Sequence, residues 1–494
     1  MKAFFVLRDR GGTYRHLSLP LTLYCLTMTA DKRIIMLLSV FLMIAMGTAT
    51  VVEKAAGREA VMEGVYGSWW FAGCWAALAA AVMRRIVRGG MVRQPAVLLL
   101  HGAFAVILAG ALVSRFSSEH GRMHLRRGER VTYFVDSERE AHRLPFSLTL
   151  REFRTEHYHG TDVASDYVSH VTVETEAGCR EMTVSMNAAG KVEGYRFCQA
   201  SYDADGLGTV LLVTHDPCGT ALTFAGYLSA MAGLAWVICS RRHHIRRLYQ
   251  AASMPGDAAE GKETPWTAFL IILAALALTA VLARRWIEGG HVPLGNSYET
   301  MLFMAWASLV FSLSLMRKIR ILKVTGPAVA FSCFAAATFV LGNPEVVPLR
   351  PVLSSPLFPA HVVTVMVSYS LLAIIFLSSL PCLFLSDEGG RCARERLTAL
   401  SRLLLYPAVA FLAAGIIIGS VWASQSWGSH WSWDPKETWA LLTLMVYALP
   451  LHGAAFPPQG YSRGLHLYLV LSFIVVLMTY LGVNHLLSGL HSYS

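Results

Sequence analysis

Residues 403–421, Leu403-Leu-Leu-Tyr-Pro-Ala-Val-Ala-Phe-Leu-Ala-Ala-Gly-Ile-Ile-Ile-Gly-Ser-Val421, run without a charge into Trp422-Ala-Ser-Gln-Ser-Trp427-Gly428-Ser-His430-Trp431-Ser-Trp433-Asp434-Pro435-Lys436-Glu437-Thr-Trp439. A run of about 20 apolar residues crosses the ~30 Å hydrocarbon core of a bilayer as a helix. The aromatic stretch that follows, with Gly428 and Pro435 as turn formers, reads as a loop at one membrane face. Further apolar runs on both sides bring the number of spans to eleven, near residues 34–52, 65–83, 95–113, 220–240, 264–283, 298–316, 324–342, 360–385, 403–421, 438–451 and 464–483. The tenth is the shortest. The expected fold is an all-α polytopic bundle of about eleven transmembrane helices in a lipid bilayer.

Composition agrees with this reading. The 494 residues are 54% hydrophobic and 15% charged, with a mean hydropathy of +0.47. Soluble domains hold about 45–50% apolar and about 25% charged residues, so an ordinary soluble enzyme is excluded. The net charge of +10 invites a nucleic-acid reading, but its placement argues otherwise. Arg84, Arg85, Arg88 and Arg93, then Arg241, Arg242, Arg246 and Arg247, then Arg317, Lys318, Arg320 and Lys323, then Arg391, Arg394, Arg396 and Arg402 fall on alternate loops. The positive-inside rule puts all four clusters in the cytoplasm, with the amino terminus inside and the carboxyl terminus outside. No nucleic-acid partner is expected. Arg284 and Arg285 are a mild exception at the outer end of the fifth span. Nine Cys without a C-x-x-C pair give no support to a disulfide framework, a thiol oxidoreductase or a zinc ribbon.

The chain then divides as follows. Residues 1–32 are a cytoplasmic leader or a misassigned start, with Met28 or Met36 as the alternative first residue; 33–114 hold the first three spans. In 115–217 the composition turns polar, and Arg130-Val-Thr-Tyr-Phe-Val-Asp136, Val168-Ser-His-Val-Thr-Val-Glu174 and Gly208-Thr-Val-Leu-Leu-Val-Thr214 cluster β-branched and aromatic residues. This predicts one strand-rich extracytoplasmic domain, a small sandwich or barrel. Residues 218–263 carry the fourth span and a cytoplasmic connector, and 264–494 form the second membrane half, with the Trp-rich loop at 422–439.

Five of the 12 Trp lie in that loop. Clustered Trp at a membrane face ordinarily forms an interfacial belt, but a belt needs neither a shaped turn nor carboxylates among the rings. A flat aromatic platform for a large planar ligand is the alternative. A metal inside such a ligand needs axial donors, for which neutral imidazole is suited. Of the 18 His, position selects His361 and His491 outside, with His430 and His485 as competitors, and His101 and His452 near the inner face. Asp434 and Glu437 suit either loop and proton handling or the capping of the helix that follows.

At these residues the sequence resembles the system II cytochrome c synthases of the fused CcsBA type, in which a ResB-like half precedes a CcsA/ResC-like half. The signature W-G-x-x-W-x-W-D-x-x-E is matched by Trp427, Gly428, Trp431, Trp433, Asp434 and Glu437. Asn296-Ser-Tyr-Glu299, Leu353-Ser-Ser-Pro-Leu-Phe-Pro-Ala-His361, Tyr447-Ala-Leu-Pro-Leu-His452, Gly482-Val-Asn484 and Gly489-Leu-His-Ser-Tyr493 follow the same family in the same order, and Gly194-Tyr-Arg-Phe-Cys-Gln199 in the first half is a weaker match.

The resemblance implies a protein of the bacterial cytoplasmic membrane that exports haem b and attaches its vinyl groups to the thiols of a C-x-x-C-H motif in apocytochrome c. It implies His361 and His491 as outer haem-iron ligands, His101 and His452 as the inner pair, and the six signature residues as the catalytic surface. Lacking a dithiol of its own, the chain needs a separate thioredoxin-like thiol reductant. Two other functions remain open at this point: a haem transporter without ligation activity, and a membrane haem/quinone electron carrier.

Overall fold

The structure is a computed structural model that describes residues 2–8, 14–20, 29–254, 265–341, 344–385, 390–452 and 463–487. The expected spans form helices α1 (Ala30–Ala56), α2 (Trp69–Arg88), α3 (Pro95–Ser117), α4 (Pro217–Ser240), α6 (Pro265–Gly289), α7 (Ser297–Leu315), α8 (Leu322–Phe339), α9 (Leu357–Phe384), α10 (Arg391–Trp427), α11 (Pro435–Ala448) and α12 (Arg463–Leu477), the last continuing through a π-turn to Leu486. A further amphipathic helix, α5 (Arg242–Ala252), carries the second basic cluster. Large apolar side chains stand exposed on the outer surface, with Leu228 at 72% and Phe331 at 73%. Such a surface is stable only against lipid.

One expected span differs. Among the described residues ten helices are long and apolar enough to cross a membrane, and the run at 438–451 is not one of them. It becomes the 14-residue α11 followed by a 3-10 turn, Leu449–Leu451. At 1.5 Å per residue α11 covers only about 21 Å, because Pro435 and Asp434 start the helix late and Pro450 tightens its end. By contrast α10 has 37 residues, about 55 Å, and continues past the apolar run 403–421 through Trp422 to Trp427.

The strand-rich expectation is met by eight antiparallel strands, β3 (Glu119–Arg126), β4 (Arg130–Val135), β5 (Ala141–His157), β6 (Ala164–Thr175), β7 (Gly178–Val184), β8 (Gly190–Val192), β9 (Tyr195–Tyr202) and β10 (Gly208–His215), in the order β7-β6-β5-β4-β3-β10-β9-β8. The two ends approach each other through the Ser185–Ala188 bridge and the bond from Arg180 Nη2 to the Lys191 carbonyl at 2.9 Å. The sheet is therefore a nearly closed barrel. Inward positions alternate along the strands as a pleated sheet requires, and Phe134, Leu148, Leu150, Phe197 and Leu211 are fully buried. Preceding α1, β1 (Lys2–Arg8) and β2 (Tyr14–Pro20) form an antiparallel hairpin.

Two local devices anchor the barrel to the membrane helices. Pairing of Glu119 with His215 brings the end of α3 beside the start of α4. There Asp216 caps α4 at Gly219 N (3.0 Å) and accepts from Ser114 Oγ (2.6 Å). Below, Gly219, Gly226 and Gly233 recur every seven residues on α4, and a Cβ on Gly226 or Gly233 would come within 3.0 Å of Ile107 or Leu100 backbone atoms. Only glycine lets α3 and α4 pack this closely.

The second half holds an ion pair that explains the exception to the charge rule. Arg285, 7% exposed, reaches Glu299 Oε1 at 3.0 and 3.1 Å and the carbonyls of Pro344 and Glu345. Glu299 also accepts from Gly295 N at 2.8 Å, and Asn296 caps the same turn at Glu299 N. A buried charge paired with a carboxylate and with four of its five N–H donors engaged is tolerated on the barrel side.

Candidate functional site

The Trp-rich loop joins α10 to α11 directly beneath the barrel. Helix α10 ends on Gly428, whose φ of 73° is left-handed. A Cβ there would also lie 2.9 Å from Thr214 Oγ1 of β10, so both conformation and barrel contact demand glycine. Arg196 of β9 donates to the Ser424 carbonyl at 3.1 Å, and Asn187 bridges Ser426, Pro351 and Ser354. The Gly194–Gln199 segment thus meets the end of α10.

The loop closes on itself through its carboxylates. Glu437 Oε2 accepts from Ser432 N (2.8 Å), Ser432 Oγ (3.2 Å) and Asp434 N (3.3 Å), while Asp434 Oδ1 accepts from Lys436 N (2.9 Å). This is a capping box with Pro435 at the first helical position. It satisfies helix-end donors that have no intrahelical partner. Trp433 takes φ 58°, which is rare for a bulky residue. Its indole lies flat on Tyr66, 4.7 Å away at 8°, and meets Phe71 edge-on at 5.1 Å. Packing against the α1–α2 connection and α2 holds this backbone in place. Arg58 Nη2 adds a bond to the Ser432 carbonyl at 2.6 Å, and Trp439 Nε1 donates to Thr50 Oγ1 of α1 at 3.0 Å.

The indoles do not form the flat platform expected. Trp431 and Trp433 are nearly perpendicular, at 86°. Trp427 lines the same cavity as Trp431 and Trp433 and meets Trp422 at 57°, while Trp422 packs on Phe358 and lies 6.3 Å from the ring of His361. The helix end at Gly428 and the twist at Trp433 set the rings at different angles, with Trp427, Trp431 and Trp433 on the cavity and Trp422 turned to Phe358 and His361. His361 Nδ1 is 2.7 Å from the Gly415 carbonyl. A carbonyl only accepts, so Nδ1 carries the proton and any metal bond falls to Nε2. His491 lies outside the described residues.

His101 and His452 come together. Their ring centres are 5.9 Å apart at 85°. One is on α3 and the other follows α11, so each half of the chain contributes one. Both Nδ1 atoms sit 2.9 Å from the carbonyl four residues back, Val97 and Ala448. Both tautomers are thereby set with Nε2 unprotonated. A metal bonded to two imidazole nitrogens at about 2 Å each holds the ring centres about 6 Å apart. The donor set and spacing fit a bis-imidazole iron.

A cavity of about 3560 Å³ runs between the two halves; it is lined by His101, His452 and Arg241 at the end away from the barrel, and by His430, Trp431 and Trp433 at the barrel end. His430 packs edge-on to Phe224 (5.0 Å) and Tyr227 (6.0 Å) of α4. Burial, with Arg196 as the next cause, pushes its imidazole down to about 4, so it is neutral at pH 7. Tyr66, Phe71, Arg58, Thr50, Phe224 and Tyr227 are neighbours that sequence reasoning missed. Apart from aromatic content near the first loop, no local signal marks them, since their partners lie hundreds of residues away.

Comparison with known proteins matches this two-part build. The ResB-like family model covers residues 86–234, which take in α3, the barrel and most of α4, and the Cytochrome C assembly protein model covers residues 294–491. The cytochrome c biogenesis protein CcsA of Prochlorococcus marinus (strain MIT 9303) is 35% identical over 272 residues, 47% of this chain and 85% of that protein. The chain belongs to the fused CcsBA-type cytochrome c biogenesis proteins. CcsA of Guillardia theta is similarly 35% identical over 251 residues, 45% of this chain and 83% of that protein. Protein NrfI of Wolinella succinogenes is 33% identical over 235 residues, 45% of this chain but 25% of that much longer protein. In this CcsBA-type chain His101 comes from the ResB-like segment and His452 from the assembly segment. Their meeting point is the seam between the two matched regions.

Proposed function

We propose that this protein is a cytochrome c synthase that carries haem b from the cytoplasmic to the extracytoplasmic face of the bacterial inner membrane and joins it to apocytochrome c. The observation that carries this reading is the His101–His452 pair, 5.9 Å apart, opening into a cavity that continues to the Trp-rich loop. The basic clusters mark the end away from the barrel as cytoplasmic, so the pair receives haem from inside. His361, together with His491, holds the iron on the barrel side, and the indoles enclose the porphyrin. Axial imidazoles set the iron potential there.

Attachment then rests on position. Each thiol of the C-x-x-C-H motif adds across a vinyl double bond, sulfur to one carbon and hydrogen to the other, with no net transfer of electrons. Holding thiols and vinyls in register supplies most of the rate. Asp434 and Glu437 act by shaping the loop. The thiols must arrive reduced; the chain has no C-x-x-C pair, so a thioredoxin-like partner supplies that reduction.

Coexpression with an apocytochrome bearing C-x-x-C-H is the test. Covalent haem resistant to acid extraction supports synthase activity. Haem-loaded protein without thioether product supports transport alone, and reduction of bound haem by quinol without need for apocytochrome supports an electron carrier.

A further inference from the structure

His430 is the one imidazole of the Trp-rich loop, and nothing in the capping of that loop requires it. Its Nδ1 is buried without a hydrogen-bond partner, its Nε2 has a long 3.5 Å contact to Ser424 Oγ, and the Ser420 backbone is a further polar neighbour of the ring. A buried polar nitrogen left in this state costs free energy and calls for a reason. The ring is caught between the edges of Phe224 and Tyr227 and borders the same cavity as His101 and His452.

Its height along the cavity can be read from α4. Gly233 abuts Leu100, next to His101 on α3, while Tyr227 of α4 touches His430. Six residues of helix separate these levels, about 9 Å. Around them the cavity wall is apolar, formed by residues such as Phe104, Leu108, Ala413 and Ile417. Between His101 and His430 the described helices offer this cavity thioethers such as Met445 but no other imidazole, so an iron porphyrin leaving one bis-imidazole site for another would meet its next imidazole at position 430.

We propose that His430 is a transient axial ligand that takes the haem iron between the inner pair and the outer site. The inference rests on the haem-export reading. A ring that is neutral at pH 7 and held by ring edges and weak polar contacts to Ser424 and Ser420 keeps a lone pair to offer the iron. Its weak tethering also suits a temporary ligand, because a firmly held imidazole would retain the iron as the inner pair does.

The test uses the purified full chain and reads haem content and visible spectrum. With His361→Ala to hinder retention outside, haem is expected to back up onto position 430. His430→Cys in that background should then add thiolate ligation to the ferric spectrum, and His430→Phe should shift bound haem to the inner pair, seen as a larger fraction lost on further His101→Ala substitution. Added imidazole should reverse the His430→Phe effect. If the His430→Cys spectrum and the His430→Phe distribution both equal those of His361→Ala alone, the transient ligand is refuted while haem binding stands. If the parent chain binds no haem at all, the haem-export reading fails first.

Discussion

The guanidinium of Arg58 and the carbonyl of Ser432 lie 2.6 Å apart although 374 residues separate them. With Tyr66 stacked on Trp433, this bond ties the connection between α1 and α2 to the signature loop of the assembly domain. The loop's shape is therefore a joint property of both ends of the chain.

Arg58→Met removes that tie but leaves the aliphatic stem. A hydrogen bond from a charged donor is worth about 1.5–3 kcal/mol. Because the Arg58 side chain is 41% exposed and shares its charge with Glu53, solvent screening brings its contribution to about 1 kcal/mol. Thioether yield is expected to fall about fivefold while haem at the inner pair stays unchanged in the spectrum. Loss of the inner-pair spectrum in this variant would show that the tie acts on the whole bundle.

Capping and proton handling by Asp434 separate cleanly. Asn caps a helix about as well as Asp, whereas Ala forfeits about 1 kcal/mol. If the capping box is the whole role, Asp434→Asn keeps holocytochrome yield near that of the parent and Asp434→Ala lowers it severalfold. Activity lost in the Asn variant, with the loop still protected from proteolysis, would assign the carboxylate a chemical role.

Gly428→Ala faces two penalties at once. A left-handed alanine costs about 1–2 kcal/mol, and its Cβ would meet Thr214 Oγ1 at 2.9 Å. Removing that oxygen with Thr214→Ala should recover only the second part. The double variant is thus expected to melt above Gly428→Ala but below the parent, in thermal unfolding of the detergent-solubilised chain.

Much of this was readable beforehand, and the residues show why. Ten of the eleven expected spans follow from the length of local apolar runs, and the closeness of His101 and His452 agrees with their expected placement near one end of the spans. The capping box at Asp434 and Glu437 is local too. What was not readable is non-local. The β3–β10 pairing joins residues 119–126 to 208–215, and the Tyr66–Trp433 stack crosses the whole chain. The flat indole platform failed because ring planes depend on backbone angles at Gly428 and Trp433 that composition does not reveal.

Outside the membrane, the β4–β5 turn carries a pH-dependent contact. His142 Nε2 and Asp136 Oδ2 are 2.8 Å apart; this bond raises the imidazole above its ordinary 6.5 and lowers the carboxyl below its ordinary 3.8. A raised histidine stabilises the fold fully below 6.5 and loses that effect as pH rises through its folded value; a lowered carboxyl does so above 3.8 and loses it as pH falls. The turn is expected to be most stable between these limits. His142→Gln should flatten the decline above pH 6.5 in hydrogen exchange at Glu138 and Glu140, whose amides Asp136 accepts. An unchanged profile would mean the pair does not govern the turn.

The inner pair gives the most discriminating result, because its two rings are held alike but come from different halves. His101 and His452 each fix Nδ1 on a helix carbonyl, so neither substitution should disturb the packing of its own helix by more than the loss of one such bond, about 1 kcal/mol. His101→Ala and His452→Ala should therefore insert and purify normally. Each should lose the low-spin bis-imidazole spectrum of the inner haem, and each should regain it with added imidazole, which fills the vacated coordination position. If only one substitution removes the spectrum, the iron has a single protein ligand there and the 5.9 Å spacing reflects packing. If both remove it but imidazole restores neither, the rings serve to join the two halves, and haem delivery fails because the cavity between them has changed shape.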